Sequence, residues 1–240
     1  MRRITRYVEY AMRKENGFTF LELLLSVFTG TLLLAGSYYA YGVLARQFAS
    51  ARSEADMRAA GYAALDFISA ELRKAGRVAY DDAMASSGGA IDAPVVATDS
   101  AGANFCCDAL RVEYDESPGI RRRTTIYADA RDNVETRYAL YMDVDERAAS
   151  GEWAPLYAHA YLVDDVERFD VVVGATGESG MPTSVALELT LRAKEPGLLA
   201  ENFSYPSYSA AAHLGAHTDR YARKWFRRET LLRNAERYSP

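Results

Sequence analysis

Between Glu22 and Arg46 the chain carries no charged residue. A helix over residues 23–45 is about 34 Å long, enough to cross a bilayer core of about 30 Å. The whole chain of 240 residues is 49% hydrophobic and 25% charged, an ordinary globular composition. The apolar run is therefore a local feature, and it predicts a membrane-spanning helix joined to one sizeable folded domain. Ahead of it lie Arg2, Arg3, Arg6, Arg13 and Lys14 against Glu9 and Glu15; behind it Arg46 and Arg52 mix with Glu54 and Asp56. The positive-inside bias places the N-terminus in the cytoplasm and the remainder across the membrane. A cleavable secretory signal would end in a small-x-small exit, whereas this run ends in SYYAYGVLARQF and a helical pattern continues out of it.

Glu22 stands at the threshold of that run. An ionised carboxylate in hydrocarbon costs several kcal/mol unless it stays at the interface or meets a positive partner. The order of residues around it, a short basic leader ending in Gly17, then Phe18, Thr19, Phe20, Leu21 and Glu22, then an apolar helix, resembles the class III leader junction of type IV prepilins and type II secretion pseudopilins. The resemblance implies that a prepilin peptidase cuts between Gly17 and Phe18 and methylates the new amino group. Glu22 then takes the family's glutamate position, where it docks one subunit on the next. The physics agrees: an ammonium at Phe18, in the same chain or a neighbour, offsets the desolvation of Glu22. The bland alternative leaves the Glu22 charge among lipid headgroups.

Past Arg46 the helical pattern persists, with Met57, Gly61, Ala64, Leu65, Ile68, Leu72 and Ala75 recurring at three- and four-residue steps. One long helix is expected from about Phe18 to Ala75, stopped by Gly76 in the left-handed conformation. Gly30, Gly36 and Gly42 weaken its apolar half, and Ser26 with Gly30 and Gly36 with Ala40 have small-xxx-small spacing without forming GxxxG. Family members often carry a proline where this chain has Tyr39.

Beyond Gly76 the period becomes two. Leu110, Val112 and Tyr114 alternate with Arg111, Glu113 and Asp115; Val185, Leu187, Leu189 and Leu191 alternate with Ala186, Glu188, Thr190 and Arg192. Both stretches predict half-buried strands, and further strands are expected near 123–128, 135–143, 156–163, 166–173 and 224–233. The fold class is α+β, a long N-terminal helix against an antiparallel sheet. ALDFISAELRKAGRV (64–78), VDDVERFDVVVG (163–174) and WFRRETLLRN (225–234) are similar to segments of PilW-type minor pilins and J-type pseudopilins. The resemblance thus implies a cytoplasmic leader over 1–17, a pilin helix over 18–76 with 18–45 in the membrane, and a periplasmic β-rich head over 77–240. Residues 194–223 match nothing in that group and are expected to form a surface insert. The partners implied are prepilin peptidase, other minor and major pilins or pseudopilins, and an inner-membrane assembly platform.

Enzymatic chemistry is not expected. GESG around Ser179 is not GxSxG, and HLGAH, with His213 and His217, lacks the glutamate of HExxH. His159 stands alone in sequence. Asp143, Asp145, Glu146 and Glu152 resemble a calcium loop only loosely, because Ala148 and Ala154 stand where an EF-hand needs glycine and glutamate; solvated charge is the preferred reading. No metal or cofactor is expected. Cys106 and Cys107 are adjacent, with α-carbons about 3.8 Å apart against the roughly 4.4 to 6.8 Å preferred by disulfides. A strained vicinal bridge, two thiols and pairing with another chain all remain open. Net charge is -5, which excludes a general electrostatic footprint for nucleic acid. One basic, aromatic stretch remains, with Arg220, Arg223, Lys224, Arg227, Arg228, Arg233 and Arg237 around Tyr221, Trp225 and Phe226. It keeps a DNA-uptake tip subunit as an alternative, beside a single-pass membrane protein with a periplasmic binding domain.

Overall fold

The computed structural model describes residues 18–79, 91, 93–99, 108–130, 138–148, 151–174, 182–194, 196–197, 201–206, 209 and 216–233. Among the described residues one helix, α1 (Phe20–Leu72), precedes nine strands: β1 (Val95–Asp99), β2 (Asp108–Ser117), β3 (Ile120–Ala130), β4 (Tyr138–Arg147), β5 (Trp153–Val173), β6 (Ser184–Arg192), β7 (Glu201–Ser204), β8 (Ala216–Asp219) and β9 (Arg223–Leu231). The chain divides into two compact units, with the boundary between Ser50 and Ala51.

In the first unit, α1 is long and apolar enough to span a membrane, and its most apolar window has no buried residue. Three of its hydroxyls bond back to the helix itself: Ser26 Oγ donates to Leu23 O at 2.9 Å, Thr29 Oγ1 to Leu25 O at 2.8 Å and Thr31 Oγ1 to Phe28 O at 2.8 Å. A donor satisfied in this way needs no water, the condition for a helix in lipid. A Cβ added to Gly30, Gly36 or Gly42 would meet nothing within 4 Å, so no packing among the described residues calls for these glycines.

The second unit contains the last turns of α1 and the sheets. Met57, Gly61, Ala64, Leu65, Ile68 and Leu72 are buried, as their spacing predicts. Leu65, Ile68 and Leu72 join Leu110, Val112, Ile126, Leu140, Phe169, Leu187 and Leu189 in one core. Each such side chain, fully withdrawn from water, contributes about 1.5–3 kcal/mol. Gly76 has φ 70° and its N–H donates to Glu113 O at 2.9 Å, so the helix stop also fastens the chain to β2. Gly61 has a tighter role: an added Cβ would lie 2.5 Å from the ring of Phe226 on β9.

Seven strands form one antiparallel sheet in the order β1-β2-β3-β4-β5-β6-β9, and β7 pairs with β8 in a separate hairpin. Two expected strands, 156–163 and 166–173, are a single strand β5. The Asp164–Asp165 pair that breaks the alternation is an irregularity within it, with Asp165 at φ 57°. β6 is buried on both faces rather than one. Leu187, Leu189 and Leu191 face the core, while Glu188 and Thr190 are also buried. Ser209 Oγ donates to Glu188 Oε2 at 2.5 Å, and Tyr205 lies close enough to hydrogen-bond Thr190. Part of the 194–223 stretch thus forms the β7–β8 hairpin, and Tyr205 and Ser209 from the same stretch are buried beside β6.

Candidate functional site

The N-terminus of α1 is closed by a reciprocal pair. Glu22 N donates to Thr19 Oγ1 at 3.3 Å, while Thr19 N and Thr19 Oγ1 each donate to Glu22 Oε2 at 3.1 Å. This is a capping box, in which the residue before the helix and the third residue within it satisfy each other's backbone donors. It also sets a negative charge at the positive end of the helix dipole, worth about 0.3–1 kcal/mol where exposed. Thr19 was missed as a functional residue, although the T-x-x-E spacing before an apolar run is a recognised local signal. Glu22 Oε1 accepts no hydrogen bond among the described residues. Phe18 is 82% exposed. Gly17, on the other side of the expected cut, lies outside the described residues, as do Cys106, Cys107 and His213.

The middle of the basic stretch forms strand β9, and the four cations on that strand reach carboxylates. The Arg223 side chain is withdrawn from solvent, its Nε 2.6 Å from Glu167 Oε2 and its Nη1 2.6 Å from Asp219 Oδ1. These contacts hold the Asp219 carboxyl down to about 2, chiefly through the Arg223 hydrogen bonds. Lys224 Nζ reaches Glu54 Oε1 at 3.2 Å, Arg227 Nη1 reaches Glu188 Oε1 at 3.6 Å, and Arg228 bonds Asp66. Four of the cations that suggested a nucleic-acid surface thus bind the chain's own acids, and two of them fasten β9 to α1.

His159 and the acidic residues take places that their local sequence does not announce. Asp143, Asp145 and Glu146 stand on β4, not in a loop, and Glu146 pairs with Arg122 at 3.3 Å. His159, on β5, has φ 54°. Its N–H donates to Asp143 Oδ1 at 2.6 Å, and its ring stacks on Tyr141 with centroids 3.8 Å apart. The Tyr127 hydroxyl lies 3.1 Å from His159 Nδ1 and 3.3 Å from Asp143 Oδ1. Burial and the neighbouring Asp143 charge push the Tyr127 phenol up to about 12. His217 lies on β8. Among the described residues no three His, Cys, Asp or Glu side chains converge as a metal site. In comparisons with known proteins, the chain matches no family model, no curated protein and no solved structure.

Proposed function

We propose that this chain is a minor subunit of a type IV pilus or a type II secretion pseudopilus. Prepilin peptidase releases it from its leader between Gly17 and Phe18, and it helps to initiate or cap the filament. The membrane-spanning half of α1 joins the helical bundle, the sheet domain stands on the periplasmic side, and the role is non-catalytic. The observation that carries the reading is the state of Glu22. Its carboxylate is half used among the described residues: Oε2 caps its own helix through Thr19, while Oε1 accepts no hydrogen bond there. A neighbouring subunit's amino group at Phe18 would find an acceptor already fixed in direction by the cap, so docking costs less side-chain entropy than with a free glutamate. The engagement of Arg223, Lys224, Arg227 and Arg228 with internal carboxylates favours this reading over DNA contact.

The test is N-terminal sequencing of the protein recovered from cells, paired with Glu22→Ala. A product beginning at N-methylated Phe18 is expected, and Glu22→Ala should be inserted and cut yet remain outside the filament. A product that retains Met1, or a Glu22→Ala chain that assembles normally, would remove the proposal.

A further inference from the structure

The chain serves several of its aromatic rings with its own cations. Arg123 lies over Trp153 at 3.9 Å and Arg147 lies over the same ring at 5.2 Å. Lys74 and Arg77 lie over Tyr114 at 5.2 and 5.6 Å, and Arg192 lies over Tyr221 at 4.8 Å. Tyr127 and Tyr141 are different. Among the described residues no Lys or Arg stands over either ring, yet the electrostatic surroundings favour a cation there: Asp143 bonds Tyr127, and the charges of Asp143 and Asp129 both act on that phenol. Asp143 Oδ1 is taken by the His159 amide and the Tyr127 hydroxyl, whereas Oδ2 accepts no hydrogen bond among the described residues.

The arrangement is also held at a cost. His159 occupies the left-handed region, which histidine enters more readily than most residues other than glycine but still only occasionally, and such conformations collect at functional sites. Here the left-handed turn directs the His159 amide to Asp143 while the ring stacks on Tyr141. His159 stays exposed, so the stack does not serve a buried core. We propose that Tyr127, Tyr141, His159 and Asp143 form a docking site for an arginine side chain of a partner protein. A guanidinium is flat enough to lie against the exposed His159 ring beside the half-buried tyrosines while donating to Asp143 Oδ2, a combination that an ammonium matches less well. Polyanions are disfavoured by the same carboxylates. The site needs neither leader cleavage nor filament assembly and stands apart from the function proposed above.

The test uses the full chain in detergent micelles with isotope-labelled Tyr and His rings, titrated with N-acetyl-arginine amide. Saturable shifts are expected at Tyr141 and His159, with a dissociation constant on the order of 10 mM for one isolated side chain. The citrulline analogue, equal in shape but uncharged, should bind at least about fivefold more weakly. Asp143→Asn, which keeps an oxygen for the His159 amide, should weaken arginine binding by about fivefold or more. Equal shifts from arginine and citrulline, or no saturation, would overturn the proposal. The arginine and citrulline comparison needs no variant, so a failure of Asp143→Asn to fold would leave the test intact.

Discussion

The approach of Phe226 to Gly61 gives a prediction whose sign decides the matter. Replacing a glycine in mid-helix by alanine ordinarily stabilises by about 1 kcal/mol, because glycine loses more backbone freedom on folding. At Gly61 the new methyl carbon would lie 2.5, 2.6 and 2.8 Å from three atoms of the Phe226 ring, well inside the roughly 3.5–4.0 Å of a relaxed carbon contact. The ring has little room to retreat, being 4% exposed and set edge-on against Tyr62 with centroids 5.2 Å apart. Overpacking of this kind costs about 1–3 kcal/mol. Set against the propensity gain, Gly61→Ala should destabilise by about 1 kcal/mol, a fall in melting temperature of about 2–4 °C for a domain of this size. In a Phe226→Leu background the clash is relieved, and the same substitution should raise the melting temperature. Thermal unfolding of the full chain in detergent, followed by circular dichroism across the four-member cycle, measures both signs. If Gly61→Ala stabilises the parent protein, the close helix–strand contact does not exist in solution.

Thr19→Val removes the hydroxyl of the capping box and should cost about 1 kcal/mol of local helix stability. Hydrogen exchange in micelles should then show faster exchange at the Glu22 amide and no change at Leu65 or Ile68. Because Arg223 holds the Asp219 carboxyl down to about 2 from its ordinary 3.8, that pair contributes stability above pH 3.8 and loses it as pH falls through 2. Melting temperatures should decline over that window in the parent and less steeply in Asp219→Asn. The Tyr127 phenol, pushed up to about 12 by burial and Asp143, keeps its proton longer folded than unfolded, so its contribution fades as pH rises from 10 to 12. A titration that resolves the tyrosine rings should find Tyr127 among those ionising late, with Tyr114 and Tyr205, and Asp143→Asn should bring Tyr127 alone back towards 10.

What could be read along the chain was whatever repeats locally. The stripe from Met57 to Leu72 obeys the helical period, and Leu110, Val112 and Tyr114 obey the strand period, so both placed themselves correctly. Gly76 announced its left-handed turn because few other residues accept one. β6 was misjudged as half-buried because its second cover, Ser209 and Tyr205, comes from a stretch with no periodic signature. β5 was divided in two because an irregular pair of aspartates looks the same in sequence as a loop. The partners of β9 were invisible for a different reason: Lys224 and Glu54, or Arg228 and Asp66, lie far apart along the chain, and only the tertiary fold joins them. His159 belongs to the same class, since its neighbours Tyr127, Tyr141 and Asp143 come from two other strands.

The union of β9 with α1 also sets a schedule for biogenesis. A ribosome makes the apolar stripe of the helix early, yet Phe226, which fills the notch at Gly61, emerges only after some 160 further residues. Throughout that interval the stripe is sticky and lacks its final cover, the situation in which nascent chains meet chaperones or proteases. A polypeptide that ended before residue 223 would keep the other strands over the stripe but leave the flank at Gly61 without its ring, and quality control would have a ready mark by which to find it.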